Sequence, residues 1–273
     1  MKKLFMLLCL SVPSLCLYAQ TYKEIAEKAF HCVEADSLEQ ATVLFREALK
    51  MEPANAFNAE LFAALGEIYR RKDDLKAALE NYSLSLNLRP KSVSVLLSRA
   101  GIYMETGDDR RAYTDYCDVL DLDKDNREAL FFRAYLNMEK RDFKAARIDY
   151  ERLLLLEPNH DKARMGLAIL NQKEGRLKEA YDQLSTLIIA NPGDASLYAS
   201  RADVEKDQGA YDMAMLDMEE AIRLKPDDAQ YYIVRAGIYL KLKKKKLARN
   251  DLDKAVELGV SRASLSELYK ECR

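Results

Sequence analysis

The sequence predicts an all-helical protein assembled from helix pairs that repeat every 34 residues, and three observations carry that prediction. Pro90, Pro158, Pro192 and Pro226 are spaced by 68, 34 and 34 residues, which is the spacing of a repeat. Divided on those prolines, the chain falls into units 22–55, 59–92, 93–126, 127–160, 161–194, 195–228 and 229–262. The twentieth position is alanine in every unit: Ala41, Ala78, Ala112, Ala146, Ala180, Ala214 and Ala248. Finally, nine glycines and six prolines are too few for a loop-rich fold, and Ala, Leu, Lys, Glu and Asp outweigh the strand formers.

Each element follows from its place in the unit. The eighth position is small throughout (Ala29, Gly66, Ala100, Ala134, Ala168, Ala202, Ala236). Small residues at fixed places on two successive helices let their backbones approach, while bulky residues at positions 4, 11 and 24 fill the space alongside. In the second unit these are Phe62, Tyr69 and Tyr82. The pair turns near position 15, where Gly107, Gly175 and Gly209 supply a permissive backbone. Residues 56–58 are the one insertion between units, and 263–273, with Leu265 and Leu268 on one face after Gly259, reads as a capping helix.

Phe62-x-x-Leu65-Gly66-x-x-Tyr69, followed by Ala78, Tyr82, Ser85 and Pro90, resembles the tetratricopeptide repeat signature. The resemblance covers 22–262 in seven units, with Lys124 and Val260 at the proline position and Asn137, Asn171 and Glu205 in place of an aromatic. It implies a right-handed superhelical solenoid of antiparallel helix pairs, seven units plus a C-terminal capping helix. It also implies a binding surface on positions 2, 5, 9 and 12 of each first helix. Those positions hold Leu97, Met104, Phe131, Tyr135, Met138, Met165 and Ile169 in the central units, against Glu60, Glu67, Asp203 and Lys206 in the outer ones. An apolar stripe at helical spacing also suits packing between units, so the groove and the core readings both stand. Relatives that grip chaperone C-termini carry Lys and Asn at positions 5 and 9, whereas position 5 here is Ala, Leu, Phe, Met or Ile throughout.

Two positions switch together. Four units pair Arg at position 7 with Asp at position 23: Arg99 with Asp115, Arg133 with Asp149, Arg201 with Asp217, and Arg235 with Asp251. The other three carry Lys28, Leu65 and Leu167 opposite Leu44, Asn81 and Gln183. Joint replacement predicts an ion pair across the hairpin.

The N-terminus predicts export. Lys2 and Lys3 precede the apolar run 4–10, and Leu17-Tyr18-Ala19 ends in the small residue a signal peptidase requires. Cleavage is expected after Ala19, giving a signal peptide at 1–19, an array at 20–273 and a periplasmic or extracellular protein. Cys16 follows the bulky Leu15, unlike a lipid-attachment signal, and no other segment is a membrane span. Loss of Lys2 and Lys3 lowers the 43 basic residues to 41 against 45 acidic ones, a net charge of −4. That balance gives no general affinity for nucleic acid or anionic lipid. Cys32, Cys117 and Cys272 are odd in number and far apart, so no disulfide framework is implied.

No catalytic constellation emerges, and neither cofactor nor metal is expected. His31 and His160 are the two histidines and lie far apart, and no Gly-rich phosphate loop occurs. Asp121 to Asn126 imitates a calcium loop but has Asn126 where Gly is needed and Phe132 where Glu is needed. Lys241 to Lys246 reads as a solvated turn, with docking of an acidic or phosphate-bearing surface as the alternative. The function expected is a scaffold or adaptor that binds a peptide or helix of another envelope protein; the alternative is a self-associating structural protein.

Overall fold

The computed structural model describes residues 21–272; the expected signal peptide at 1–19 lies outside them. Fourteen helices of 13 or 14 residues pair in sequence, and a shorter one follows. They are α1 (Tyr22–Glu34), α2 (Leu38–Met51), α3 (Asn58–Arg71), α4 (Leu75–Leu88), α5 (Val93–Glu105), α6 (Asp109–Leu122), α7 (Arg127–Glu139) and α8 (Phe143–Leu156). Then come α9 (Asp161–Lys173), α10 (Leu177–Ala190), α11 (Ala195–Asp207), α12 (Tyr211–Leu224), α13 (Ala229–Lys241), α14 (Lys245–Glu257) and α15 (Ser266–Glu271). The described residues are thus all-helical, with seven helix pairs and a C-terminal helix. They divide into two compact units, one ending at Ile102 and the other beginning at Tyr103, the division falling within α5.

The turn inside each pair is the same in all seven. The residue at position 15 is left-handed: Gly107, Gly175 and Gly209 at φ 72°, 79° and 78°, but also Asp36, Asp73, Arg141 and Lys243 at φ 55° to 62°. Around it the amide of position 16 donates to the carbonyl of position 11, as in Asp142 to Asn137 (2.8 Å) and Arg176 to Asn171 (2.8 Å). This ending satisfies the orphan carbonyls of the first helix. The second helices α4, α6 and α8 then start on Asp74, Asp108 and Asp142, whose carboxylates accept from Ala77, Arg111 and Ala145. Pro53, Pro90, Pro158, Pro192 and Pro226 each stand one residue after the last capping residue of a second helix, where a helix cannot continue.

In the first unit, Ile25, Phe45, Leu61 and Ile68 form the core around Ala29 and Ala41, both fully buried. Gly66 is small of necessity: a Cβ there would lie 2.6 Å from the Tyr82 ring. The insertion at 56–58 places Asn58 beneath α1, where it accepts from the Tyr22 hydroxyl (2.8 Å) and donates to the Glu52 carbonyl (2.8 Å).

In the second unit the alanines at positions 8 and 20 are fully buried in every pair from α7 to α14. Tyr150, Leu184, Met218 and Leu252 close over them from position 24. The chain's last core is capped by Leu265, with Leu268, Tyr269 and Cys272 packed against it; the capping helix itself begins at Ser266. Among the described residues no helix is long and apolar enough to cross a membrane.

Candidate functional site

The geometry of each hairpin is set by its polar lock. Arg133 Nε and Nη2 donate to the two carboxylate oxygens of Asp149 at 2.8 and 2.7 Å. Arg201 grips Asp217 at 2.6 and 2.8 Å, and Arg235 grips Asp251 at 2.8 and 2.8 Å. All three aspartates are buried, so these are desolvated bidentate pairs. Hydrogen bonding to the carboxylate holds each guanidinium above its ordinary value, against the opposing effect of burial. The remaining nitrogen reaches back to the preceding second helix: Arg133 Nη1 toward Cys117 Sγ (3.9 Å) and Arg201 Nη1 to Ser185 Oγ (3.1 Å). Arg99 and Asp115 belong to different compact units; within the first unit Arg99 Nη1 donates to Ser83 Oγ at 3.2 Å.

The pair α9–α10 is locked differently. Asn171 Nδ2 donates to Gln183 Oε1 (2.9 Å), and Arg147 Nη2 donates to Asn171 Oδ1 (2.7 Å) and Glu174 (2.8 Å). The Asn171 departure from an aromatic is therefore compensated by Gln183 and by an arginine of α8.

Glu205, the departure on α11, is 2% exposed and its Oε2 has no partner. Burial, then the charge of Asp217, push its carboxyl up to about 7.

The predicted face residues do not share one environment. Tyr135 presents an open ring, 44% exposed. Phe131 instead packs in an aromatic cluster with Phe132, Tyr150 and His160, at centroid distances of 5.2, 6.2 and 5.5 Å. Met104, Met138 and Ile169 are half-buried, and Leu97 is half-buried in the first unit. Met165 is half-buried and lines a cavity of about 860 Å³ at the N-terminal ends of α9, α11 and α13.

Ala195, Leu197, Leu224 and Tyr231 add to the apolar lining of that cavity, and Asp161, Lys162, Asn191 and Asp194 stand among its polar groups. Asn191 Nδ2 donates to Asp161 (3.0 Å), and Asp194 caps α11 by accepting from the Ser196 amide (2.9 Å). Leu197 and Tyr231 stand at position 3, outside the face positions 2, 5, 9 and 12 that the repeat resemblance implies, and both are buried. C-terminal to the apolar stretch the face turns polar: Gln172 Nε2 donates to Asp203 (2.9 Å) and Asp207 (2.7 Å). Burial would raise the Asp203 carboxyl, but bonds from Lys206 and Gln172 hold it below its ordinary value.

The histidines do structural work. His160 caps α9, its Nδ1 accepting from the Ala163 amide (3.1 Å), and His31 lies 3.2 Å from Glu34 on α1. No group of three metal-ligating side chains converges among the described residues.

Comparison with known proteins decides what this architecture is. Two tetratricopeptide-repeat family models match, one at 137–204 and the other at 59–92, 195–228 and 229–258. A tetratricopeptide repeat protein from Parabacteroides merdae, known from a crystal structure, is 31% identical over 92% of this chain and 98% of that one, with a TM-score of 0.73. The chain belongs to the tetratricopeptide repeat proteins. Members of this family are typically non-catalytic scaffolds for protein–protein interaction. A protein named MamA, known from a crystal structure (22% identity, 65% of this chain and 97% of that one, TM-score 0.57), shares the fold. So does a chain of the APC/C Cut9–Hcn1 hetero-tetramer (15%, 95% and 57%, TM-score 0.64). No curated protein matches.

Proposed function

We propose that this tetratricopeptide repeat protein is an exported scaffold that holds an extended or helical segment of another envelope protein against the first-helix face of its second unit. The observation that carries the reading is the cavity of about 860 Å³ walled by Met165, Leu197, Leu224 and Tyr231. A concave apolar pocket with a few placed polar groups suits a partner's side chain and adjoining backbone. The open Tyr135 ring and the half-buried Met138 and Ile169 extend the apolar stretch along α7 and α9, and methionines adapt to varied partners. Export is supported by Lys2, Lys3, the apolar run and Ala19.

Affinity capture of envelope proteins by the chain starting at Gln20, set against Tyr135→Ala/Met165→Ala, tests this. The double variant should lose the captured partner while keeping its helical circular dichroism. Equal recovery by both proteins discards the face. Intact mass of the exported product should begin at Gln20; an uncleaved product discards the export step.

A second reading, self-association, is favoured by the outward side chains Leu155 and Ile189, 76% and 83% exposed on α8 and α10. A mass by light scattering that rises with concentration would support it in place of the scaffold.

A further inference from the structure

The last helix pair carries a charge pattern that neither the fold nor the proposed groove uses. Residues 229–250 hold seven basic side chains and no acidic one, in a chain of net charge −2. Arg235 is taken up by Asp251. Lys241, Lys243, Lys244, Lys245, Lys246 and Arg249 are all exposed and enter no ion pair among the described residues.

Their placement opposes local stability. Lys244 is the capping residue of α14 and makes no capping bond, and Lys245 and Lys246 occupy the first two helical positions. Cations there face the positive end of the helix dipole, at the place where α4, α6 and α8 set an aspartate. Lys243 occupies the left-handed turn position at φ 59°. A sequence that breaks several local rules at one spot points to function at that spot.

A second feature adjoins this one. Arg249, Arg262, Ser266, Tyr269 and Lys270 line a cavity of about 250 Å³. The nearby acids are already engaged: Asp253 by Arg262 (3.4 Å) and the Tyr269 hydroxyl (2.7 Å), and Glu267 by Lys270 (2.6 Å). The Arg262 guanidinium lies 4.3 Å from the centroid of the Tyr269 ring, which covers that ring. Arg249 is left to meet an anion from outside. Among the lysines, Leu247 is 42% exposed.

We propose that the C-terminal helix pair docks peripherally on an anionic lipid surface. Lys241 and Lys243–Lys246 meet the headgroup layer, Arg249 with the cavity beside it takes a lipid phosphate, and Leu247 enters the interface. Lysines act as mobile point charges suited to a smeared anionic layer, whereas an arginine fork suits a single phosphate. An exposed leucine within the basic cluster fits the boundary between headgroups and acyl chains better than it fits an acidic peptide. No open aromatic ring lines the patch, as a single-stranded nucleic acid site would require. The negative balance of the rest of the chain sets which end approaches the membrane.

The full chain and the chain starting at Gln20 are sedimented with phosphatidylcholine vesicles and with vesicles containing about a third phosphatidylglycerol, at low and high salt. Binding to the anionic vesicles alone, weakened by salt, is expected. Lys241→Glu/Lys245→Glu/Lys246→Glu should lower it by about 100-fold or more, since each cation contributes roughly a fivefold partition. Leu247→Ser should lower it less and leave the salt dependence unchanged. Equal binding to neutral and anionic vesicles, or a triple variant that binds like the parent, overturns the proposal. So does capture by immobilised polyglutamate without sedimentation on anionic vesicles, which would assign the patch to an acidic protein. The Tyr135→Ala/Met165→Ala protein should bind vesicles normally, so this test fails or succeeds independently of the groove.

Discussion

Replacing Glu205 by glutamine removes a buried carboxyl that sits against an existing ion pair. In the wild type, Asp217 already accepts two bonds from Arg201, and Glu205 lies 2% exposed beside it with Oε2 unpartnered. Burial and the Asp217 charge raise the Glu205 carboxyl from 4.5 to about 7, the attraction of Arg201 offsetting part of the effect. The folded state therefore holds this proton more tightly than the unfolded chain. The stabilisation is fully present below about 4.5 and is lost as pH rises through about 7. At about 1.36 kcal/mol per pH unit, the loss amounts to about 3 kcal/mol. Glutamine keeps the shape, stays neutral and can donate to Asp217. Glu205→Gln should therefore match the wild type near pH 4.5 and exceed it by about 3 kcal/mol near pH 8. Urea unfolding followed by circular dichroism at both pH values measures the difference. A variant-minus-wild-type difference that is the same at the two pH values would refute the reasoning.

Two further predictions concern the hairpins. Arg133→Ala strands the buried Asp149 carboxylate and should cost about 3–5 kcal/mol, and a double-mutant cycle with Asp149→Ala should return a coupling well above that of a surface pair; no coupling would show that the two charges act independently. Arg141→Gly relieves a non-glycine residue at φ 60° and should raise the thermal midpoint, with a net gain of about 0.5–1 kcal/mol after the added backbone freedom of the unfolded chain; an unchanged or lower midpoint would refute the left-handed turn at that position.

Much of the fold was legible because it recurs. The invariant alanine at position 20 and the small residue at position 8 predicted the buried contact between paired helices, and both are buried wherever they occur. The joint switching of positions 7 and 23 predicted the bidentate bridges of Arg133, Arg201 and Arg235. What escaped was whatever one residue type can do in two ways. Glycine advertised the left-handed turn at Gly107, Gly175 and Gly209, and aspartate, which tolerates that conformation, marks it more weakly at Asp36 and Asp73, whereas Arg141 and Lys243 adopt it under the same capping bonds without any sequence mark. Phe131 and Tyr135 read alike at helical spacing, but Phe131 is drawn into the rings of Phe132, Tyr150 and His160. Leu197 and Tyr231 were hidden by the opposite ambiguity, since position 3 contributes to the core and to the cavity wall at once.

The cavity borders a helix pair, α9–α10, that lacks the arginine lock, as well as the starts of α11 and α13, which belong to locked pairs. In α7–α8, α11–α12 and α13–α14, a charged fork clamps one helix of the pair to the other. The α9–α10 pair substitutes an amide contact between Asn171 and Gln183, which is neutral and weaker than a charge-assisted fork. Its charged support comes from Arg147, on the preceding helix α8, and reaches only the far end of α9 at Asn171 and Glu174. The near end of α9, which carries Asp161, Lys162 and Met165, has the Asn191–Asp161 hydrogen bond in place of such a fork, and it forms one wall of the cavity of about 860 Å³.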